Sequence, residues 1–73
     1  MITIGTRIRF WPSGWGEGRE YPGVSVPEKV VGTVTEVYPR LCVVEADVGG
    51  VTIRESHEIR NGVLLDKSLE VVG

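Results

Sequence analysis

The alternation of apolar and polar positions along this chain predicts a series of short β-strands. Residues 2–10 alternate strictly, so that the isoleucines and Phe10 share one face while most polar residues share the other. A period of two is typical of a strand with one buried face. Residues 29–54 hold three runs of β-branched residues, interrupted by Tyr38-Pro39 and by Gly49-Gly50. Because β-branched residues fit a pleated sheet and proline and glycine punctuate it, this region predicts an antiparallel meander.

The second strand, residues 29–38, departs from strict alternation in a way that predicts a β-bulge. Val34 and Val37 would both face inward only if one extra residue lay between them, near Thr35-Glu36. Bulges of this kind bend strands around small barrels. The third strand is predicted over residues 41–47, with its even-numbered residues facing inward.

Two tight-turn dipeptides organise the rest of the chain. Gly49-Gly50 favours a primed two-residue turn that leads into a fourth strand over residues 51–54. Asn61-Gly62 predicts either a small hairpin or the end of a single helical turn over residues 55–59. A last strand over residues 69–72 is expected to pair with the first one.

The length and the cysteine count limit how this chain is stabilised. A chain of 73 residues makes one domain, residues 1–73, with a thin core. One cysteine and one histidine provide neither an internal disulfide nor a structural zinc site. Small domains of this size often gain stability by self-association, so we expect a homo-oligomer. A lone thiol fits a reducing cytoplasm.

The charge of the chain does not favour binding to nucleic acid or membranes in general. The net charge is −2, and no block of basic residues occurs. No apolar run is long enough to cross a bilayer, and the first residues do not resemble a signal peptide. We therefore expect a cytoplasmic protein with no membrane partner.

The pattern of five short strands, with a long segment after the first, resembles the SH3-like small β-barrels. In that family the loop between the first two strands is long and carries ligand contacts. The run KVVGTVTEV, residues 29–37, also resembles a KOW-type motif, in which a glycine between hydrophobic residues lets the strand bend. KOW-type binders of nucleic acid are usually basic, and this chain departs from them in that respect.

One enzyme family also uses such a barrel. The plasmid-borne, trimethoprim-insensitive dihydrofolate reductases form their site in a pore at the centre of a tetramer, with a Val-Gln-Ile-Tyr strand as the hallmark. The segment Val51-Thr52-Ile53-Arg54 resembles that strand, but Thr52 and Arg54 replace the two ligand-contacting residues. These two replacements argue against dihydrofolate reductase activity, but not against the same barrel architecture.

The segment between the first two strands holds the main functional candidates. Residues 11–27 are rich in glycine and proline and contain three aromatic residues and two acidic ones, and such rings are enriched at protein interfaces. The acids could attract a basic peptide. Alternatively, the rings fold back and cap the barrel end. The predicted partner-binding residues are Trp11, Trp15, Glu17, Glu20 and Tyr21.

The outward-facing arginines Arg7, Arg9 and Arg54 could form a small basic stripe for the phosphates of a nucleic acid or for an acidic partner. Acidic residues such as Glu36, Glu45 and Glu70 interleave with them, however, and favour a mixed solvated surface instead.

The remaining reactive residues do not indicate catalysis. Glu55 and His57 could share a face, but two ligands are too few for a metal, and we expect His57 to be solvated or locally hydrogen-bonded. Cys42 has the parity of a buried residue and no neighbour that would activate it. We therefore predict no catalytic residue, no metal and no cofactor.

The sequence favours a non-catalytic protein-interaction module of an all-β, five-stranded, SH3-like barrel. The alternatives are a KOW-like nucleic-acid-binding module and an oligomeric enzyme whose site lies between subunits. By analogy, small acidic modules of this kind are typical of phage and mobile-element proteins.

Overall fold

The computed structural model describes residues 1–12 and 29–73, and these ranges contain six strands. The strands pair antiparallel in the order β5-β4-β3-β2-β1-β6 and curl into a half-barrel. The all-β prediction is confirmed, but five strands were predicted where six are present. No helix that could cross a membrane occurs in the described ranges. The strands are β1 (Arg7–Phe10), β2 (Val30–Val37), β3 (Leu41–Val48), β4 (Val51–Arg60), β5 (Val63–Leu64) and β6 (Glu70–Val72).

The first strand is shorter than its alternation predicts, because the chain turns away from the sheet at Gly5, where φ is +95°. Residues 1–5, here called the N-terminal arm, run to the β4–β5 turn, and the Ile2 amide donates a 2.7 Å hydrogen bond to the Gly62 carbonyl. Ile2 is buried at the end of the core, whereas Ile4 is 70% exposed. The prediction that Ile4 faces inward is therefore wrong.

The predicted bulge in β2 is confirmed. Val34 pairs with Val44 and Glu36 pairs with Val43, so Thr35 is the extra residue. Val34 is buried, but Val37 is 38% exposed because it ends the strand at the rim of the sheet. The bulge thus brings only one of the two valines into the core.

Both tight turns have the backbone that their glycines allow. Gly49 and Gly50 have φ of 57° and 83°, and Asn61 and Gly62 have φ of 53° and 76°. These signs fit primed hairpin turns. The Asn61-Gly62 hairpin joins β4 to the two-residue β5, the strand that the five-strand prediction did not count. The alternative of a helical turn over residues 55–59 is wrong, since β4 extends through this region.

The last strand pairs with the first, as expected: Arg9 is opposite Glu70 and Ile8 is opposite Val71. Among the described residues the sheet does not close, however, because β5 and β6 form its two ends. Residues 65–69, here called the β5–β6 link, connect these two edges and are held by a hydrogen bond from the Leu65 amide to the Glu58 carbonyl, at 3.2 Å.

The core fills the concave side of the curled sheet. Every strand except β6 contributes to it, and the N-terminal arm adds one residue. Because a small domain buries little surface, each of these side chains carries a large share of the stability. The core residues are Ile2, Ile8, Phe10, Val34, Cys42, Val44, Ala46, Val48, Ile53, Ile59 and Leu64.

Candidate functional site

Trp11 is an exposed aromatic side chain between two buried neighbours. Phe10 and Pro12 are both fully buried, whereas Trp11 is 46% exposed. The two anchors hold the backbone on either side, so the indole is presented to solvent from a fixed position. Large rings held in this way are suited to contact another protein, since little conformational entropy is lost on binding.

The other predicted partner-binding residues, Trp15, Glu17, Glu20 and Tyr21, lie outside the described residues.

A group of three charged side chains lies on the outer face at the end of β1. Glu70 pairs with Arg9 and with Lys29, each at 3.4 Å, and Lys29 also donates to the Ser68 carbonyl. All three side chains are partly exposed, so these contacts add little stability. They join the outer faces of strands that the backbone hydrogen bonds of the sheet already hold together.

The structure places the three predicted arginines on the outer face, where Arg7 and Arg9 are neighbours on β1 but Arg54 lies away from them. Arg7 and Arg54 lie in one row across the sheet, with Thr33 and Glu45 between them. Three strand spacings separate the two arginine backbones, about 14 Å. Arg9 is paired with Glu70.

Arg54 belongs to a polar network that the sequence did not predict in detail. It forms ion pairs with Glu36 and Glu45, and Tyr38 donates a hydrogen bond to Glu36. This hydrogen bond and the negative charge of Glu36 raise the pKa of Tyr38. The Arg54–Glu36 pair spans β3 from β4 to β2. Val43, the β3 residue opposite Glu36, has outward parity but is buried. The expected mixing of charges on this face is therefore present.

Glu55 and His57 face the core side of β4, opposite Val44 and Cys42. Their side chains are only 10% and 15% exposed, and Glu55 Oε1 lies 3.5 Å from His57 Nε2. The rings of His57 and Phe10 form a T-shaped contact, with their centroids 5.6 Å apart. The two residues share a face, as the sequence allowed.

The expectation of a solvated or locally hydrogen-bonded His57 is wrong. His57 Nε2 is buried without a hydrogen bond to any described residue, because the Glu55 contact lacks hydrogen-bond geometry. The strand period predicted the shared face, but only the curl of the sheet turns that face inward. No group of three metal-ligating side chains occurs among the described residues.

Cys42 is fully buried on the concave face, and burial raises the pKa of its thiol. Because the thiolate is the reactive form, we expect a thiol reagent to modify folded Cys42 at least about a hundredfold more slowly than urea-unfolded Cys42. The chain has one cysteine, so the rate of colour release from a disulfide reagent reports on this residue alone. Equal rates in the two states would contradict its position in the core.

Comparison of the chain with protein-family models, with curated proteins and with solved structures finds no match. The resemblance to SH3-like barrels and to a KOW-type strand therefore stays a prediction from the sequence.

Proposed function

We propose that this chain is a non-catalytic protein-interaction module on an SH3-like half-barrel, and that Trp11 is a central contact residue. The proposal is supported above all by the exposed indole of Trp11 between the buried Phe10 and Pro12. The predicted contribution of Trp15 and Tyr21 from the same segment is part of this proposal. A lone cysteine supports a cytoplasmic location.

The two alternatives have less support from the described residues. For nucleic acid, Arg9 and Arg54 are already paired with carboxylates, which lowers the positive potential that phosphates would meet. For an enzyme, the Glu55–His57 pair lies within an apolar core, beneath Phe10 and beside Cys42.

Trp11→Ala is expected to weaken binding of a cognate peptide at least about thirtyfold, since a hot-spot tryptophan contributes about 2 kcal/mol or more. Peptides selected from a random display library on the immobilised domain serve as ligands. Their dissociation constants are measured by calorimetry for the original domain and for the variant. Because the side chain is half exposed, the thermal unfolding midpoint is expected to change little.

Tyr38→Ala is the matched control, since Tyr38 is an aromatic residue of similar exposure on the β2–β3 turn. It is expected to leave the dissociation constant within about twofold. A library that yields no specific binder, or selected peptides that bind Trp11→Ala as tightly as the original domain, would refute the proposal.

A further inference from the structure

The open side of the half-barrel is a cleft between its two edge strands. Residues from β5 and from β6 line the same cleft, which has a volume of about 340 Å³. The N-terminal arm and the β5–β6 link border it as well. Neither β5 nor β6 has a second neighbouring strand in the described part of the sheet, so each presents an unpaired backbone edge there.

The cleft has an apolar floor. Ile2 and Leu64 are buried core residues, and Leu69 packs against the core. Val71 faces the concave side opposite Ile8, yet it is 59% exposed, and no further strand of residues 1–12 and 29–73 covers it. The next strand of a closed barrel would cover these residues with its inward-facing side chains.

The rim of the cleft is basic although the chain as a whole is acidic. Lys67 lines the cleft from the β5–β6 link, and Arg7 lies beside Val72 on the outer face of β1, one strand from the β6 edge. In the described part of the chain no ion pair or side-chain hydrogen bond engages these two cations.

The acids near this rim offset the basic charge only partly. Glu70 is shared between Arg9 and Lys29, and Asp66 accepts two hydrogen bonds from Ser68. Asp66 lines the cleft next to Lys67. Four basic residues therefore lie near two acidic ones, on a chain whose net charge is −2; the basic residues are Arg7, Arg9, Lys29 and Lys67.

We propose that this cleft binds an extended acidic segment of a partner protein, which adds as a strand between β5 and β6. Its inward-facing side chains would be apolar and would cover Val71 and Leu64. Its outward-facing side chains would be carboxylates near the cationic rim. The backbone would pair with both edges, as in other complexes formed by strand addition.

The spacing of a sheet fits this arrangement. A residue added beside Val72 lies two strand spacings from Arg7, about 10 Å between backbones. Extended arginine and glutamate side chains together span that gap. Because β5 and β6 are short, few backbone hydrogen bonds form, and the side chains must supply the selectivity.

A second copy of this chain fits the cleft less well. A two-fold dimer places the same patch on both sides of the interface. Here the cations of one copy would meet the cations of the other, and like charges across an interface are unfavourable. Charge complementarity therefore favours an acidic partner segment over self-association through this side.

The test is an NMR titration of the isotope-labelled full chain with two capped decapeptides. One alternates glutamate and valine, and the other alternates lysine and valine. We expect saturable shifts at β5 and β6 and at least about tenfold tighter binding of the glutamate peptide at low salt, with a smaller difference at high salt. N-methylation of alternate valines, which removes backbone donors, is expected to abolish binding.

Variants at exposed positions locate the contact. Lys67→Glu combined with Arg7→Glu is expected to weaken binding of the glutamate peptide about tenfold or more, and Val71→Asp is expected to abolish it. Arg40→Glu is the matched control, because Arg40 is an exposed arginine in the β2–β3 turn, away from the cleft. It is expected to change the affinity less than twofold. A dispersed spectrum of each variant shows that it folds.

Several results would overturn the proposal: equal binding of both peptides, full binding of the N-methylated peptide, or shifts confined to other strands. Concentration-dependent dimerisation with shifts at β5 and β6 would assign the cleft to a second copy. Tighter binding of an oligothymidylate at the same residues would assign it to nucleic acid. Trp11 does not line the cleft. Trp11→Ala is therefore expected to leave the affinity for the glutamate peptide unchanged. This result would separate the present proposal from the proposed function.

Discussion

Gly32→Ala is expected to lower the free energy of unfolding by about 2–3 kcal/mol, the upper part of the usual range for overpacking a core. Gly32 is a buried residue of β2, opposite Ile8. A Cβ atom at this position would lie 2.6 Å from Val44 Cγ1, 2.9 Å from the Glu45 carbonyl oxygen and 3.0 Å from the Phe10 ring. The carbonyl belongs to the backbone of β3 and cannot move away without disturbing the sheet.

Urea denaturation followed by tryptophan fluorescence measures this effect. Gly73→Ala is the matched control, since a Cβ there meets nothing within 4 Å, and its midpoint is expected to stay unchanged. Gly50→Ala measures the cost of backbone strain without steric overlap, because Gly50 has a positive φ but no neighbouring atom within 4 Å of an added Cβ. We expect it to cost about 1 kcal/mol. A loss at Gly32 no larger than that at Gly50 would show that the sheet adapts to the added methyl group.

Strand β2 illustrates what the sequence predicts well. Its glycine was expected, from the resemblance to a KOW-type motif, to let the strand bend, and the structure shows a close approach of backbone at Gly32. The register slip between Val34 and Val37 predicted the bulge at Thr35, which is confirmed. Both features are local, since they depend on a few neighbouring residues and on the period of a strand.

Features that depend on distant parts of the chain were not predicted. Ile4 has the parity of a core residue, but the turn at Gly5 removes it from the sheet. Val43 has the parity of an outward residue, but it is buried. The alternation of apolar and polar residues predicts which side chains share a face of a strand. It does not predict which other parts of the chain pack against that face.

The candidate sites likewise include one that the sequence predicted and one that it did not. The exposed position of Trp11 follows from its place just after an amphipathic strand, and it was among the predicted contact residues. The cleft between β5 and β6 was not predicted. Its existence depends on the order of six strands and on the sheet remaining open, and the last strand was expected to close it.

Phe10→Ala is expected to have the largest effect of any single substitution considered, a loss of about 3–5 kcal/mol. Phe10 is fully buried and contacts the ring of His57. A chain of this length has a total stability of about 4–11 kcal/mol. If the total lies at the lower end of this range, the variant is expected to be close to its unfolding transition at 25 °C.

The comparison of Phe10→Ala with Phe10→Leu shows where that loss originates. Leucine keeps much of the buried volume but removes the ring contact with His57, so about 1–2 kcal/mol is expected. If both variants lose stability equally, the ring contact with His57 outweighs the lost volume. If Phe10→Ala loses less than about 1 kcal/mol, Phe10 is not part of the core. If alanine is much worse than leucine, the buried volume of Phe10 contributes more to stability than its ring contact with His57 does.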